Sequence, residues 1–201
     1  MTSLKIGIFG HEKSNTTSTV FESATKIGQL IAINGHTLYN GGGAGVMLSA
    51  RQGAFSEHGS IVSINPDQAI EDIHNNMLGN IVMTGQNKIG RVPILCQTID
   101  IGFALSGGAG TLLEIITCYL LAKPIIVIDF NNFSASSRVN QFFYKTNTIA
   151  LNGKNFEIGY LDDKDSKYVS PILILNIEIG IENIFSLGIE YYKNITGDKC
   201  L

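Results

Sequence analysis

Two side chains stand out in this 201-residue sequence for the chemistry that their types and spacing allow, Glu114 and Arg91, 23 residues apart. Glu114 follows the run Ser106-Gly107-Gly108-Ala109-Gly110-Thr111, in which glycines without Cβ let backbone N–H groups come close to an anion. A carboxylate beside such a loop can serve a bound ligand. Thr111-x-x-Glu114 equally spells a capping box, with Thr111 as N-cap and Glu114 folding back on the backbone, and spacing alone leaves both readings open. Arg91 offers paired N–H donors suited to a phosphate or carboxylate. The alternative for it is a surface arginine paired to a neighbouring carboxylate. A second glycine-rich run, Gly41-Gly42-Gly43-Ala44-Gly45, lies upstream.

Positioning these residues requires strand-to-helix turns, and the hydrophobic pattern supplies them. Leu4 to Phe9 reads as an apolar strand ending in Gly10, and Thr19-Val20-Phe21-Glu22 as a capping box opening a helix that stops at Gly35. His36 to Asn40 is a second strand running into the first glycine loop, followed by a helix from Val46 to His58 and a strand from Ser60 to Ile64. Asp67 to Asn76 reads as a loop or broken helix, and Ile81 to Met83 as a brief strand. Pro93 suits a first helical turn, so the next helix is expected to start there and to leave Arg91 on a loop. A strand from Ile99 to Leu105, the second glycine loop, a helix from Leu112 to Ala122 with Glu114 in its first turn, and a strand from Pro124 to Asp129 continue the alternation. Beyond Phe130 the pattern weakens: a helix is placed around Arg138 to Lys145, turns from Gly153 to Ser170, a last strand at Pro171 to Leu175 and a closing helix at Glu182 to Asn194. This alternation predicts a single α/β domain over 1–201, a Rossmann-like doubly wound parallel sheet with helices on both faces. Both glycine loops then fall on one sheet edge. The loop after the first strand brings Lys13 and Ser14 to that edge as ligand-lining candidates by fold position.

Composition narrows the function classes. With 44% hydrophobic residues the chain can bury a substantial core, and its apolar runs fall short of the roughly 18 residues a membrane span needs. Its start carries no signal-peptide pattern, so a cytoplasmic protein without membrane association is expected. Cys96, Cys118 and Cys200 are odd in number and scattered, which fits neither a disulfide framework nor zinc. His11, His36, His58 and His74 lack metal-ligand spacing and read as capping or surface residues, so no metal and no cofactor is expected. A net charge of −3 without basic clusters points away from nucleic acid and toward a small phosphate-bearing ligand.

Neither loop carries Gly-x-Gly-x-x-Gly, because Val46, Leu48 and Leu113 stand where glycine is needed, and neither ends in the glycine-lysine-serine/threonine of a P-loop. The pair does resemble the Lonely guy (LOG) superfamily, formerly called lysine decarboxylases and related to the DNA-processing Smf proteins. Gly41-Gly42-Gly43-Ala44-Gly45-Val46-Met47 is similar to its first loop, Ser106 to Glu114 is similar to its P-G-G-x-G-T-x-x-E loop, and Arg91 falls at the family's spacing. The similarity covers about 4–129, and the run Gly45 to Pro66 looks closest to the branch of molybdenum-cofactor carrier proteins. Ser106 replaces the usual proline, Val92 the lysine and Leu113 the first paired glutamate of the cytokinin-activating enzymes.

The resemblance implies Arg91 and Glu114 as catalytic residues. It implies Gly42, Gly43, Gly45, Gly107, Gly108, Ala109, Gly110 and Thr111 as ligand and phosphate contacts, and a homodimer or higher homo-oligomer. The apolar helix from Leu112 to Leu121, with Cys118 and Tyr119, would supply the dimer surface. The implied activity is a phosphoribohydrolase that cuts a nucleoside 5′-monophosphate to free base and ribose 5-phosphate. That bond breaks through an oxocarbenium-like state, which a carboxylate can steady. The alternative is a non-catalytic carrier or sensor of a nucleotide-like or molybdopterin-type phosphate ligand.

Overall fold

The computed structural model describes residues 3–11, 17–66, 78–164 and 168–197. Lys13, Ser14 and the segment 67–76 lie outside the described residues.

Near-continuous apolar runs build the central strands: β1 (Lys5–Gly10), β2 (Thr37–Asn40), β3 (Ser60–Asn65), β4 (Asn80–Met83), β5 (Ile101–Leu105), β6 (Ile125–Asp129) and, late in the chain, β9 (Ile172–Asn176). All seven pair in parallel, and β5 and the first four residues of β6 are wholly buried, as a sheet covered on both faces requires. The nine-stranded sheet has the order β4-β3-β2-β1-β5-β6-β9-β8-β7. From β1 the chain steps outward to β4, then returns to β5 on the other side of β1 and steps outward again. The direction therefore reverses between β1 and β5, and the crevice outside their carboxyl ends is where open α/β sheets hold ligands.

Helices α1 (Ser18–Ile33), α2 (Val46–Ser56), α3 (Arg91–Thr98), α4 (Ala109–Leu120), the short α5 (Ala135–Arg138) and α6 (Ile181–Thr196) flank the sheet. None of the described helices is long and apolar enough to cross a membrane. Helices α1 and α2 touch backbone to backbone. A Cβ on Gly28 would stand 2.0 Å from the Ala50 carbonyl oxygen, and one on Gly53 would stand 1.9 Å from that of Thr25. Helix α1 begins after Thr17, without a side-chain cap, so the box expected from Thr19 does not form.

The largest departure from expectation is a β-hairpin where a helix and turns were expected. β7 (Lys145–Leu151) and β8 (Lys154–Tyr160) pair antiparallel, and β8 joins β9 to extend the sheet. The turn is Asn152-Gly153, both at positive φ (46° and 72°). Asn-Gly is the favoured pair for a two-residue hairpin, and its left-handed backbone matches the twist of the strands. Instead of a helix reaching Lys145, α5 and a 3-10 turn over Val139–Phe142 lead into β7.

Candidate functional site

At the crevice between β1 and β5 lies a cleft of about 370 Å³, lined by Gly10, His11, Met47, Lys88, Ile89, Arg91, Val92, Gly108, Ala109, Gly110, Thr111, Leu113 and Glu114. Of the expected residues, Arg91, Glu114, Gly108, Ala109, Gly110 and Thr111 therefore meet in one place. Gly42, Gly43, Gly45 and Gly107 are not among the lining residues, although both glycine loops sit at the carboxyl ends of parallel strands on one sheet edge. His11, Lys88 and Ile89 were not expected to line it. His11 sits directly after β1, two residues before Lys13, so the position that singled out Lys13 and Ser14 applies to it more directly.

The floor of the cleft is the start of α4. Its N-cap is Gly108, without a side-chain cap bond, so Thr111 is already inside the helix and Glu114 stands a turn beyond the position expected for it. The capping box between them does not form. The Thr111 side chain tucks under Gly107 instead, where an added Cβ would lie 2.1 Å from its Oγ1; with φ at +95°, Gly107 has a backbone that suits only glycine. The N–H groups of Ala109, Gly110 and Thr111 are three of the four, Gly108 included, that an α-helix leaves without intrahelical acceptors, and they carry the positive end of its dipole. Gly108 and Gly110 have open space where a side chain would stand.

Behind the loop, Ser106 takes φ +60° and donates its N–H to Ser136 Oγ at 2.8 Å, while Ala135 N–H donates to the Gly107 carbonyl at the same distance. The proline usual in related loops could do neither, having φ fixed near −65° and no N–H. Ser106 thus latches the second glycine loop onto α5.

Arg91 begins α3 instead of lying on a loop. Asn87 sets this earlier start, since its Oδ1 accepts from Ile89 N and Gly90 N and its carbonyl accepts from Arg91 N. Pro93 then falls in the first turn, where no donor is missed. Arg91 is 9% exposed and Glu114 4%, and Arg91 Nη2 stands 3.4 Å from Glu114 Oε1. The arginine is thus paired with a carboxylate, but within the cleft and buried. Among the described residues its Nη1 has no hydrogen-bond partner. The guanidinium lies against Gly41, where a Cβ would come within 2.3 Å of both terminal nitrogens, so this one group touches the first glycine loop on one side and Glu114 of α4 on the other.

The first loop is held from several sides. Val46 N–H, at the start of α2, donates to the His11 carbonyl at 3.0 Å, and Asn65 packs against Gly42. Arg51, on α2, donates to Asn40 and to the Gly43 carbonyl, and burial pulls its pKa downward. His36 was expected as a capping or surface histidine; it is buried, and its Nδ1 accepts the Leu4 N–H. Cys118 and Tyr119 also turn inward and are fully buried, so they do not form the outward apolar surface expected of α4; Leu120 and Leu121 are the exposed ones.

A model of the SLOG cluster4 family matches residues 3–158. An uncharacterized protein of Archaeoglobus fulgidus is 32% identical over 112 residues, 56% of this chain and 71% of that protein. The crystal structure of TM1055, a structural-genomics target, matches with a TM-score of 0.69 at 25% identity, over 90% of this chain and 98% of its own. The molybdenum cofactor binding protein of Rippkaea orientalis matches with a TM-score of 0.57 at 32% identity, over 64% of this chain and 77% of its own. The exclusion of nucleic acid does not survive. DNA processing protein A of Helicobacter pylori, described for its single-stranded DNA binding mode, shares this fold at a TM-score of 0.56 and 18% identity, over 70% of this chain and 72% of its own. Net charge was the wrong criterion, because single strands are held by local grooves and base stacking rather than by a basic surface overall.

Proposed function

As the chain belongs to the SLOG cluster4 family, we propose that it binds a small phosphate-bearing ligand of nucleotide or pterin type in the cleft between β1 and β5, as a carrier or sensor. The phosphate sits on the N–H groups of Ala109, Gly110 and Thr111, and the unpaired Nη1 of Arg91 takes a further ligand oxygen. The observation that carries this reading is the open start of α4, with no side chain capping it and room at Gly108 and Gly110 for an anion. The likeness to a molybdenum cofactor binding protein supports a pterin phosphate as one form of the ligand.

Glu114 favours a second reading, hydrolysis of a nucleoside 5′-monophosphate, because it lines the same cleft as Arg91. A carboxylate already paired to a guanidinium is a weaker partner for a developing cation, however, which places binding ahead of turnover.

Calorimetric titration with nucleosides and their 5′-monophosphates tests the proposal. Monophosphates should bind and free nucleosides should not, and Gly110→Asp, which puts a carboxylate at the start of α4, should abolish binding. Equal affinity for nucleoside and monophosphate would overturn the phosphate site. Release of free base by the wild type would move the assignment to the hydrolase.

A further inference from the structure

A second cavity, of about 340 Å³, opens where the β7–β8 hairpin and α6 meet, and it shares no lining residue with the cleft between β1 and β5. The sequence explains why it stays open. Asn183, Ser186, Leu187 and Glu190 fall at i, i+3, i+4 and i+7, one stripe along α6, and all four line the cavity. A stripe packed tightly on a sheet is apolar, whereas three of these four residues are polar, so this side of the helix stands off from the hairpin. Facing it, Lys154 and Phe156 alternate along β8 and so share one face of that strand.

The floor is apolar and fixed. Leu151 is fully buried and Leu187 is 7% exposed, both within the core, and Phe156 and Ile179 pack against it. The walls are pinned to each other as well. Asn152 N–H, in the hairpin turn, donates to Glu190 Oε1 at 2.8 Å, and Asn183 Nδ2 donates to the Ile179 carbonyl at 2.9 Å. The cavity is thus preformed, and its size suits a small molecule, for which pockets of roughly 300–1,000 Å³ are usual.

Two charges of opposite sign line this space without meeting. Glu190 holds the Asn152 N–H, and among the described residues Lys154 forms no ion pair. A molecule that carries both a carboxylate and an ammonium would bridge them, and its aliphatic part would cover the apolar floor. A fatty acid would leave Glu190 beside an apolar chain, and a simple amine would leave Lys154 without an acceptor.

We infer that this cavity is a second ligand site, for a free α-amino acid with an aliphatic side chain. The carboxylate is taken by Lys154, whose flexible stem lets the ammonium follow it, the amino group by Glu190, and the side chain by Leu151, Phe156 and Leu187. The site is independent of the phosphate reading at α4.

Calorimetric titration of the whole chain with L-leucine tests it, against 4-methylpentanoate, which lacks the ammonium, leucinamide, which lacks the carboxylate, and glycine, which lacks the side chain. Leucine should bind. The first two analogues should bind about fivefold more weakly, the scale of one exposed ion pair, and glycine roughly tenfold or more, because it leaves the floor uncovered. Lys154→Met and Glu190→Gln should each weaken leucine binding by about fivefold with melting temperatures unchanged, since glutamine still accepts the Asn152 N–H. Ser186 is exposed, so Ser186→Trp should fold, fill the cavity and abolish binding. Gly110→Asp, in the other cleft, should leave leucine binding intact. Absence of leucine binding in the wild type, equal affinity for leucine and the two singly charged analogues, or unchanged binding in Ser186→Trp would each overturn the site. Loss of leucine binding in Gly110→Asp but not in Ser186→Trp would move the amino acid to the cleft between β1 and β5 and overturn it as well.

Discussion

The guanidinium of Arg91 occupies the space that any side chain at position 41 would need, since a Cβ on Gly41 would stand 2.3 Å from both Nη1 and Nη2. Gly41 is therefore glycine for the sake of a residue 50 positions away, and the first loop supports the arginine that faces the second.

Gly41→Ala should push Arg91 out of its seat. The expected outcome is a loss of about 1–3 kcal/mol in stability from overpacking, together with roughly tenfold weaker binding of a nucleoside monophosphate as one charged contact is displaced. Denaturant unfolding and calorimetry read the two effects separately. Unchanged affinity would mean that Arg91 does not contact the ligand.

Glu114→Gln leaves a buried guanidinium without its counter-charge. Breaking a pair this buried should cost about 3 kcal/mol. A nearly silent change would mean that the ion pair adds little to stability. The urea midpoint discriminates between these. Retained binding of a monophosphate together with loss of any free-base release would place Glu114 in chemistry rather than in ligand capture.

Ser106→Pro restores the residue usual in related loops, yet here it should destabilise the protein by about 3 kcal/mol or more, since proline cannot take φ +60° or donate to Ser136. Thermal melting checks it. A neutral outcome would mean that the latch between the second loop and α5 carries no weight.

His36 makes stability depend on pH. Its pKa lies below the ordinary 6.5, first because burial disfavours the imidazolium and then because Lys193 repels it. The unfolded chain therefore takes up this proton before the folded one does. Its contribution is fully present above pH 6.5 and is lost as the pH falls from there through the depressed folded value. Protonation of Nδ1 also breaks the bond from Leu4 N–H. Denaturant midpoints at pH 8 and pH 5.5 should differ less in His36→Phe than in the wild type, and an equal difference in both would assign the pH dependence to other groups.

Much of this architecture was legible in the sequence, for physical reasons. Runs such as Ile101–Leu105 are apolar throughout because both faces of a parallel sheet are covered, and the glycine loops mark the ends of β2 and β5. Arg91 and Glu114 were both singled out by residue type and by the family resemblance, but that they pair with each other was not foreseen. Helix starts were not legible: Asn87, through its side chain and carbonyl, sets α3 to begin at Arg91, two residues before Pro93, and Gly108 is the N-cap of α4, three residues before Thr111, although Pro93 and Thr111 carry the stronger residue preferences. The hairpin was obscured by its exposure. Lys145–Leu151 is polar along most of its length, and only the Asn152-Gly153 turn carried a signal for it. His11 and Lys88 sit on connections, where side-chain pattern says little about direction.

The seam where Gly28 and Gly53 let α1 and α2 touch has a mechanical consequence. Backbone pressed against backbone has no side-chain play to take up, so the two helices move as a single plate. The first glycine loop is riveted to that plate by Arg51 and by Val46 N–H. Any widening of the cleft to admit or release a ligand must then come from the opposite wall, where Lys88, Ile89 and Arg91 stand at the start of α3.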